Sequence, residues 1–430
     1  MSSNRAIKVR IYPNTDQEAF FLMNFGHCRF VYNKMLEEKK DIYKKYKDDK
    51  QALRDYSYKT EKQLKNLYPF LKQADSISLQ QSRKNLKKAF DTFFDNLKER
   101  KKGNTKRRVG YPRFKSRKSK QSYSTCMTNN NIRIDWNRKR LKLPKLKRWV
   151  RFSDSRIIDA DIQRITVSRN RDGKYYASIL FREDLYSLEP KRVVNESKVV
   201  AFDMSAKDFL VNETYRFSNP RFYRSTLKTL RKHHRIISRR KKGSTNHAKT
   251  ILKLSSIYDT VRNKKADWCH KVSFKLSKQF EAIILEDLNI QGMQRFNGGL
   301  SKSVSLDFSW NQFVKYLSYK CKRERVHLVL IDRFFPSSKL CSHCGYKYDG
   351  LSLSDRTWTC PGCKLAHDRD INASLNIKKE GIRLLKEQGI TIITQDDTNT
   401  VGTTGIHAFG DRVRPHSIGA VVEELGIHSL

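Results

Sequence analysis

The sequence has no apolar run of ~18 or more residues, so it holds no segment long enough to span a membrane as a helix. Its first residues, MSSNRAIKVR, lack the apolar core of a secretory signal. Cysteine is sparse, 8 in 430 residues, which excludes a disulfide framework and fits a reducing intracellular compartment. Acids are scarce too: 44 Asp plus Glu face 89 Lys plus Arg, for a formal net charge of +45. A compact chain carrying that charge repels itself unless a polyanion neutralises it. The expected partner is therefore nucleic acid, held over a long surface. No internal repeat is visible. Apolar residues are not short: 38% hydrophobic and 11% aromatic residues suffice for packed cores and exclude wholesale disorder. The length allows roughly two or three domains.

Residues 7–12, IKVRIY, alternate as a short strand that Pro13 ends. A long amphipathic stretch follows, with Phe20, Met23, Val31 and Leu36 among polar residues. Leu86, Phe90, Phe93 and Leu97 share one face of a second helix, opposite Lys84, Lys87, Lys88 and Lys98. From Arg100 to Lys120 there are 11 Lys or Arg in 21 residues and no acid. Such a run is either a solvated linker or a phosphate-binding arm, and Tyr111 and Phe114 favour the arm. Residues 140–152 and 164–181 read as strands, the latter pair joined by a turn at Asp172-Gly173. The layout is a small β domain interrupted by a helical one. After residue 195, apolar strands (KVVAF at 198–202, AIILE at 282–286, VHLVLID at 326–332) alternate with helices, as in an α/β sheet. One of those helices carries Leu227, Leu230 and Ile237 among Arg224, Lys228, Arg231, Lys232 and Arg235. After 390 the chain turns polar and Gly/Thr-rich, and 391–430 is expected to be a loosely ordered tail.

Two sets of residues carry chemistry. Cys341-Ser-His-Cys344 and Cys360-Pro-Gly-Cys363 stand 15 residues apart. Each pair aims two thiolates at one point, and two pairs complete a tetrahedral S₄ site suited to Zn²⁺. With four protein ligands no position is left for water, so this zinc is structural. His343, inside the first pair, is not counted as a ligand, and Cys28, Cys126, Cys269 and Cys321 read as core thiols. The second set is acids at strand ends: Asp203 after KVVAF and Glu286 after AIIL, with Asp368 and Asp370 both available at a helix entry. A carboxylate beside such apolar runs is costly without a compensating cation. Three together can hold two Mg²⁺ ions ~3.5–4 Å apart for phosphodiester hydrolysis. Singly, each acid is more often a cap or turn former.

The chain resembles the TnpB family, RNA-guided DNA endonucleases of compact insertion sequences that are related to type V CRISPR effectors. The matching segments are IKVRIYPN at 7–14, RFVYNKML at 29–36, YPRF at 111–114, TNNNIRI at 128–134, FDMSAKDF at 202–209 and ISRRKKGS at 237–244. LEDLNIQGM at 285–293, FFPSSKLCSHCGYK at 334–347, RTWTCPGC at 356–363 and HDRDINASLNI at 367–377 complete them.

The resemblance implies an RNase-H-like (RuvC) nuclease domain over 191–335 and 367–390, with a zinc ribbon at 336–366. It also implies a wedge β-barrel over 1–12 and 107–190 that encloses a helical recognition domain at 13–106. Its D-R-D-x-N-A pattern selects Asp370 over Asp368, so Asp203, Glu286 and Asp370 are the implied catalytic, Mg²⁺-binding acids. Gln80, Thr128 and Asn129 are candidate readers of a short DNA element beside the target, because amides pair with adenine edges. The implied partners are a guide RNA from the transposon end and double-stranded DNA, with no membrane partner. The implied state is a monomer with one RNA in the prokaryotic cytoplasm, near the nucleoid. The sequence departs from the family at Ala201 and Ser205, which replace glycines flanking the first aspartate; both are small enough for the site to survive. A nuclease-inactive, RNA-guided repressor is the competing reading, and retention of all three acids favours the enzyme.

Overall fold

In a computed structural model of the chain, residues 3–104, 109–154, 156–183, 189–204, 208–293, 307, 309–352 and 354–394 are described. The N-terminal part is built on one antiparallel sheet. Its strands are β1 (Ser3–Tyr12), β2 (Gln121–Cys126), β3 (Arg133–Asp135), β4 (Arg140–Lys142), β5 (Val150–Ser153), β6 (Asp161–Arg169) and β7 (Tyr175–Glu183), in the order β2-β6-β7-β1-β5-β4-β3. Gly173, at φ +86°, supplies the left-handed residue in the β6–β7 turn. The barrel implied by the resemblance appears as this seven-stranded sheet, and no ladder joins β2 to β3 among the described residues.

The helices inserted after β1 do not form a core of their own. Asn14 starts the Thr15–Tyr46 helix with a capping box to Gln17, and Asp75 caps the Ser76–Lys101 helix. Phe21, Phe25, Val31, Leu79 and Leu86 from these helices share one cluster with Ile7, Val9, Ile165, Ile179 and Phe181 of the sheet. Phe21 packs 5.8 Å from Tyr175, and Phe25 5.9 Å from Tyr123, ring centre to ring centre.

The C-terminal part is layered α/β/α. The parallel strands β9 (Val199–Ala201), β12 (Ala282–Glu286) and β13 (His327–Ile331) run in the order β13-β12-β9. Short as they are, β9 and the first four residues of β12 are wholly buried, as strands covered on both faces must be. Alternation assigns their faces. Val200, Phe202, Ile283 and Leu285 pack with Cys269, Leu276, Phe313 and Leu317, which come from the Thr245–Gln279 and Trp310–Glu324 helices. Val199, Ala201, Ala282 and Ile284 pack with Ile377 and Leu385 of the Arg369–Glu387 helix. A hairpin of β10 (Asp208–Val211) and β11 (Arg216–Ser218) extends the sheet through an antiparallel bridge, Asp203 to Val211.

Gly381 lies where the Arg369–Glu387 helix crosses β12; a Cβ there would stand 2.3 Å from Ile284 Cδ1. Gly381→Ala is therefore expected to cost ~1–3 kcal/mol through overpacking. Thermal denaturation reads this as a lowered Tm, and an unchanged Tm would refute the crossing.

The first residues of the expected tail are not loose. Thr391–Ile393 is a strand, β16, paired in parallel with β8 (Val193–Asn195). Ile390 and Ile392 pack on the same cluster as Val194, Ile377 and Leu385, so apolar burial holds the segment against the C-terminal α/β layer. Residues 395–430, the remainder of the expected tail, lie outside the described residues. Among the described residues, no helix is long and apolar enough to cross a membrane. Cys28, Cys269 and Cys321 are buried, as expected of core thiols, and Cys126 is partly so.

Candidate active site and metal centre

Strand register brings two of the acids together. Ala201 pairs with Ile284 in the parallel ladder of β9 and β12, so two residues further on Asp203 and Glu286 lie side by side at the C-terminal edge. By parity both follow the face that the Arg369–Glu387 helix covers. Asp370 is in the first turn of that helix. The backbone at Asp203 is pinned by reciprocal hydrogen bonds with Val211, both 2.9 Å.

The charges of Glu286 and Asp370 both reach the Asp203 carboxyl. Burial, then the charges of Glu286 and Asp370, push the Asp203 carboxyl up to about 8. Burial also raises Glu286, against the hydrogen bond donated to its Oε1 by Ser337 Oγ at 2.6 Å. The nearby cations are Arg369, which partly offsets the rise at Asp203, and Arg356, whose Nη1 is 3.7 Å from Asp370 Oδ1. Three carboxyls so placed fit a divalent cation, which would let Asp203 ionise at neutral pH. Among the described residues only the four cysteines bring three or more ligand atoms within 4.8 Å of one another. Asp368 has the other role expected of it: its Oδ1 accepts from the backbone N–H groups of Asp370 and Ile371, each at 3.0 Å, as the helix N-cap.

The four thiols converge. Cys341 Sγ lies 3.6 Å from Cys363 Sγ, and Cys344 Sγ 3.6 Å from Cys360 Sγ. A tetrahedron with Zn–S ≈ 2.3 Å has edges of roughly 3.8 Å, so the set fits zinc with no fifth group. Each knuckle turns tightly: the N–H of Gly345 bonds the carbonyl of Cys341, and that of Lys364 the carbonyl of Cys360. Gly345 and Lys364 take left-handed backbone angles to do so. The strands β14 (Thr357–Thr359) and β15 (Ala366–Asp368) pair between the second knuckle and the acid-bearing helix. His343 is exposed and outside the group.

Three residues of this region were not singled out from the sequence: Ser337, Arg356 and His367. His367 Nε2 lies 3.1 Å from Cys341 Sγ, with its ring against Trp358. Only their places inside the quoted motifs could have drawn notice to them, since none shows a periodic or ligand-spacing pattern.

The proposed DNA readers lie elsewhere. Gln80 is exposed on the Ser76–Lys101 helix, and Thr128 and Asn129 are exposed in the turn after β2. Asn129 and Asn130 both adopt left-handed angles, which asparagine tolerates. A groove of about 630 Å³ runs between this turn and the start of the helix, lined by Ser76, Ile77, Asn130, Asn131, Arg133 and Lys145. The start of the helix and the turn both line this groove, but Gln80, Thr128 and Asn129 are not among its lining residues. In the basic arm, Tyr111 and Phe114 are exposed, with Lys40 Nζ 4.3 Å from the Phe114 ring centre. Residues 105–108 of the arm, and Ser205, lie outside the described residues. Ala201 is buried, and its carbonyl accepts from Asn212 Nδ2 at 3.1 Å, so the missing glycine leaves β9 intact.

Three family models match the chain: a Cas12f1-like TNB domain at 310–377, a probable transposase of the OrfB/IS605 type at 183–297, and an OrfB/IS605 helix-turn-helix domain at 1–48. The last segment is here a strand followed by one 32-residue helix. A Streptomyces pristinaespiralis protein, provisionally named an RNA-guided DNA endonuclease, is 32% identical over 88% of this chain and 89% of its own. A second protein so named, InsQ of Escherichia coli (strain K12), is 27% identical over 90% and 94%. The Cas12f1 chain of a Cas12f1-sgRNA-target DNA complex shares the fold, with a TM-score of 0.52, 14% identity, and 88% of this chain and 99% of that one covered.

Proposed function

The chain belongs to the TnpB-like family of insertion-sequence proteins, and from that premise we propose that it is an RNA-guided DNA endonuclease cutting double-stranded DNA at one site formed by Asp203, Glu286 and Asp370. The observation that carries this reading is the meeting of three carboxyls at one sheet edge, with Asp203 raised to about 8. The strand sequence β11-β10-β9-β12-β13, antiparallel then parallel, supports an RNase-H-like nuclease domain.

Asp203, Glu286 and Asp370 would hold Mg²⁺. When bound, the metal supplies Lewis-acid stabilisation of phosphate charge and a more acidic water. The protein's own part is to fix the acids, to align water with the scissile phosphorus and to hold the strand. Hydrolysis leaves 5′-phosphate ends, and a single site must cut the two strands in succession. A guide RNA from the transposon end supplies sequence recognition by base pairing, and the protein grips the heteroduplex by shape and backbone. The Phe222–Arg239 helix suits this grip, with Lys228, Arg231, Lys232 and Arg235 exposed along it. The sheet and inserted helices form the wedge and recognition parts, and the Cys341, Cys344, Cys360 and Cys363 ribbon carries zinc. The working unit is one protein with one RNA. Cutting sites from which the element was lost would favour its retention and spread.

Sequencing the RNA that co-purifies with the chain tests the guided reading: a discrete transposon-end RNA is expected, and its absence would reduce the protein to an unguided DNA binder. Gln80→Ala should change the preferred flanking motif, because one bidentate base contact is worth ~1–3 kcal/mol of discrimination. Guide-RNA affinity should stay unchanged. A flank-library depletion assay reads both, and an unaltered motif would remove Gln80 from recognition.

A further inference from the structure

Ser337 is a buried serine between β13 and the first zinc knuckle, 6% exposed, and is not one of the proposed metal ligands or DNA readers. Its hydroxyl donates to Glu286 Oε1 at 2.6 Å. Its carbonyl accepts from Asn376 Nδ2 at 2.8 Å. Asn376 also donates to the Leu340 carbonyl at 2.7 Å. One helical turn earlier, Asn372 Nδ2 donates to that same carbonyl at 2.7 Å, and its Oδ1 accepts from the N–H of Ser342, inside the knuckle, at 2.8 Å. Asn372 and Asn376 stand i and i+4 on the helix that carries Asp370 in its first turn, so both project to one face. The chain from Ser337 to Ser342 is thus clamped along the acid-bearing helix and reaches back to the acid on β12.

These are costly groups to bury. Asn372 and Asn376 are 1% and 5% exposed and would destabilise an apolar interface unless satisfied. They are satisfied by backbone groups of residues 337–342 alone among the hydrogen bonds they make here. A helix that needed only to pack would use apolar residues there, as it does at Ile377 and Leu385. The second knuckle meets the helix at its start. Arg369 N–H donates to the Arg356 carbonyl at 2.8 Å, and Arg356 Nη1 approaches Asp370.

We propose that Ser337 is a positioning residue of the cleavage site. Its hydroxyl orients Glu286, and its backbone, held by Asn376, fixes that carboxylate relative to Asp370. The zinc ribbon thereby sets the spacing of the acids as well as its own fold. The inference rests on these acids being the cleavage site. Oriented carboxylates bind divalent ions better than free ones, and loss of an outer hydrogen-bond partner typically costs 10–100-fold in metal affinity or activity.

The test uses the full chain with its guide RNA, as wild type, Ser337→Ala and Ser337→Thr. Mn²⁺ binding to the guided complex on cleavage-resistant DNA is followed by electron paramagnetic resonance, beside zinc content, guided DNA affinity and cleavage rate. In Ser337→Ala, Mn²⁺ affinity should fall roughly 10–100-fold, with zinc and DNA affinity at wild-type values. Ser337→Thr, which keeps the hydroxyl, should restore it. Unchanged Mn²⁺ affinity in Ser337→Ala, loss of zinc or DNA binding there, or a threonine variant no better than alanine would each overturn the proposal. A wild-type complex that binds DNA without ever cutting it would instead overturn the nuclease reading, and this inference with it.

Discussion

Asp203→Ala is expected to abolish DNA cleavage and to leave guided binding of the target intact. Asp203 sits at the sheet edge, where its backbone is fixed by Val211 and its carboxyl faces Glu286 and Asp370. Removing it would take away one of the proposed metal-binding acids outright, so the loss should exceed the roughly 10–100-fold expected for outer-shell partners. In the proposed mechanism guided binding rests on base pairing and on basic surfaces such as the Phe222–Arg239 helix, not on the Asp203 carboxyl. Cleavage at undiminished rate would show that the acids are not the site. A companion variant carries a stability sign. Asp203 has a folded-state pKa of about 8, raised above its ordinary 3.8. Between those values the folded state favours the protonated acid, so its contribution to stability falls as pH rises through the window. Asp203→Asn removes that penalty, at most about 4 kcal/mol at pH 7. The inactive asparagine variant should therefore melt higher than wild type with zinc retained and no Mg²⁺ added. Added Mg²⁺ should narrow the gap. A lower Tm for Asp203→Asn would contradict the crowding of carboxyls.

Cys341→Ser is expected to release the zinc and to take cleavage with it. The ribbon has little else to hold it: two three-residue strands and a small cluster of Cys341, Leu351, Trp358 and Cys360. Structural zinc contributes on the order of 10–16 kcal/mol in small domains of this type, far more than so small a cluster supplies. Cys341 also lies against His367, two residues before the start of the acid-bearing helix. Through Asn372 and Asn376, loss of the knuckle frees the helix that carries Asp370. Metal analysis should show zinc falling from one per chain, with the cleavage rate falling in step. Unchanged zinc content would refute the four-thiolate centre, and lost zinc with full cleavage would separate ribbon from active site.

Much of this site is legible in the chain because its chemistry is local. The thiolates announce themselves by spacing. The acids follow short apolar strands, and strand parity alone puts Val199, Ala201 and Asp203 on one face and Ala282, Ile284 and Glu286 on another. What parity cannot say is that these two faces coincide; that takes the ladder register of Ala201 on Ile284. Ser337, Asn372, Asn376 and His367 leave no periodic trace, since their value lies in partners about 26 to 51 positions away. The helical insert reads as a separate domain because its own periodicity is clear, yet Phe21 and Leu79 pack into the sheet's core. The Thr391–Ile393 strand is hard to read from the sequence because it is three residues long and its support comes from distant elements, the Val193–Asn195 strand and the cluster around Ile377 and Leu385.

The most direct test of guided cleavage by these acids begins with the chain co-expressed with the DNA that flanks its gene. The bound RNA is sequenced, reprogrammed, and challenged with a plasmid library carrying a randomised flank in the presence of Mg²⁺. Linear product from one flank class, missing from the Asp203→Ala complex, is the expected result. Plasmid held by the RNA-loaded wild type but never cut would contradict it and identify a guided repressor.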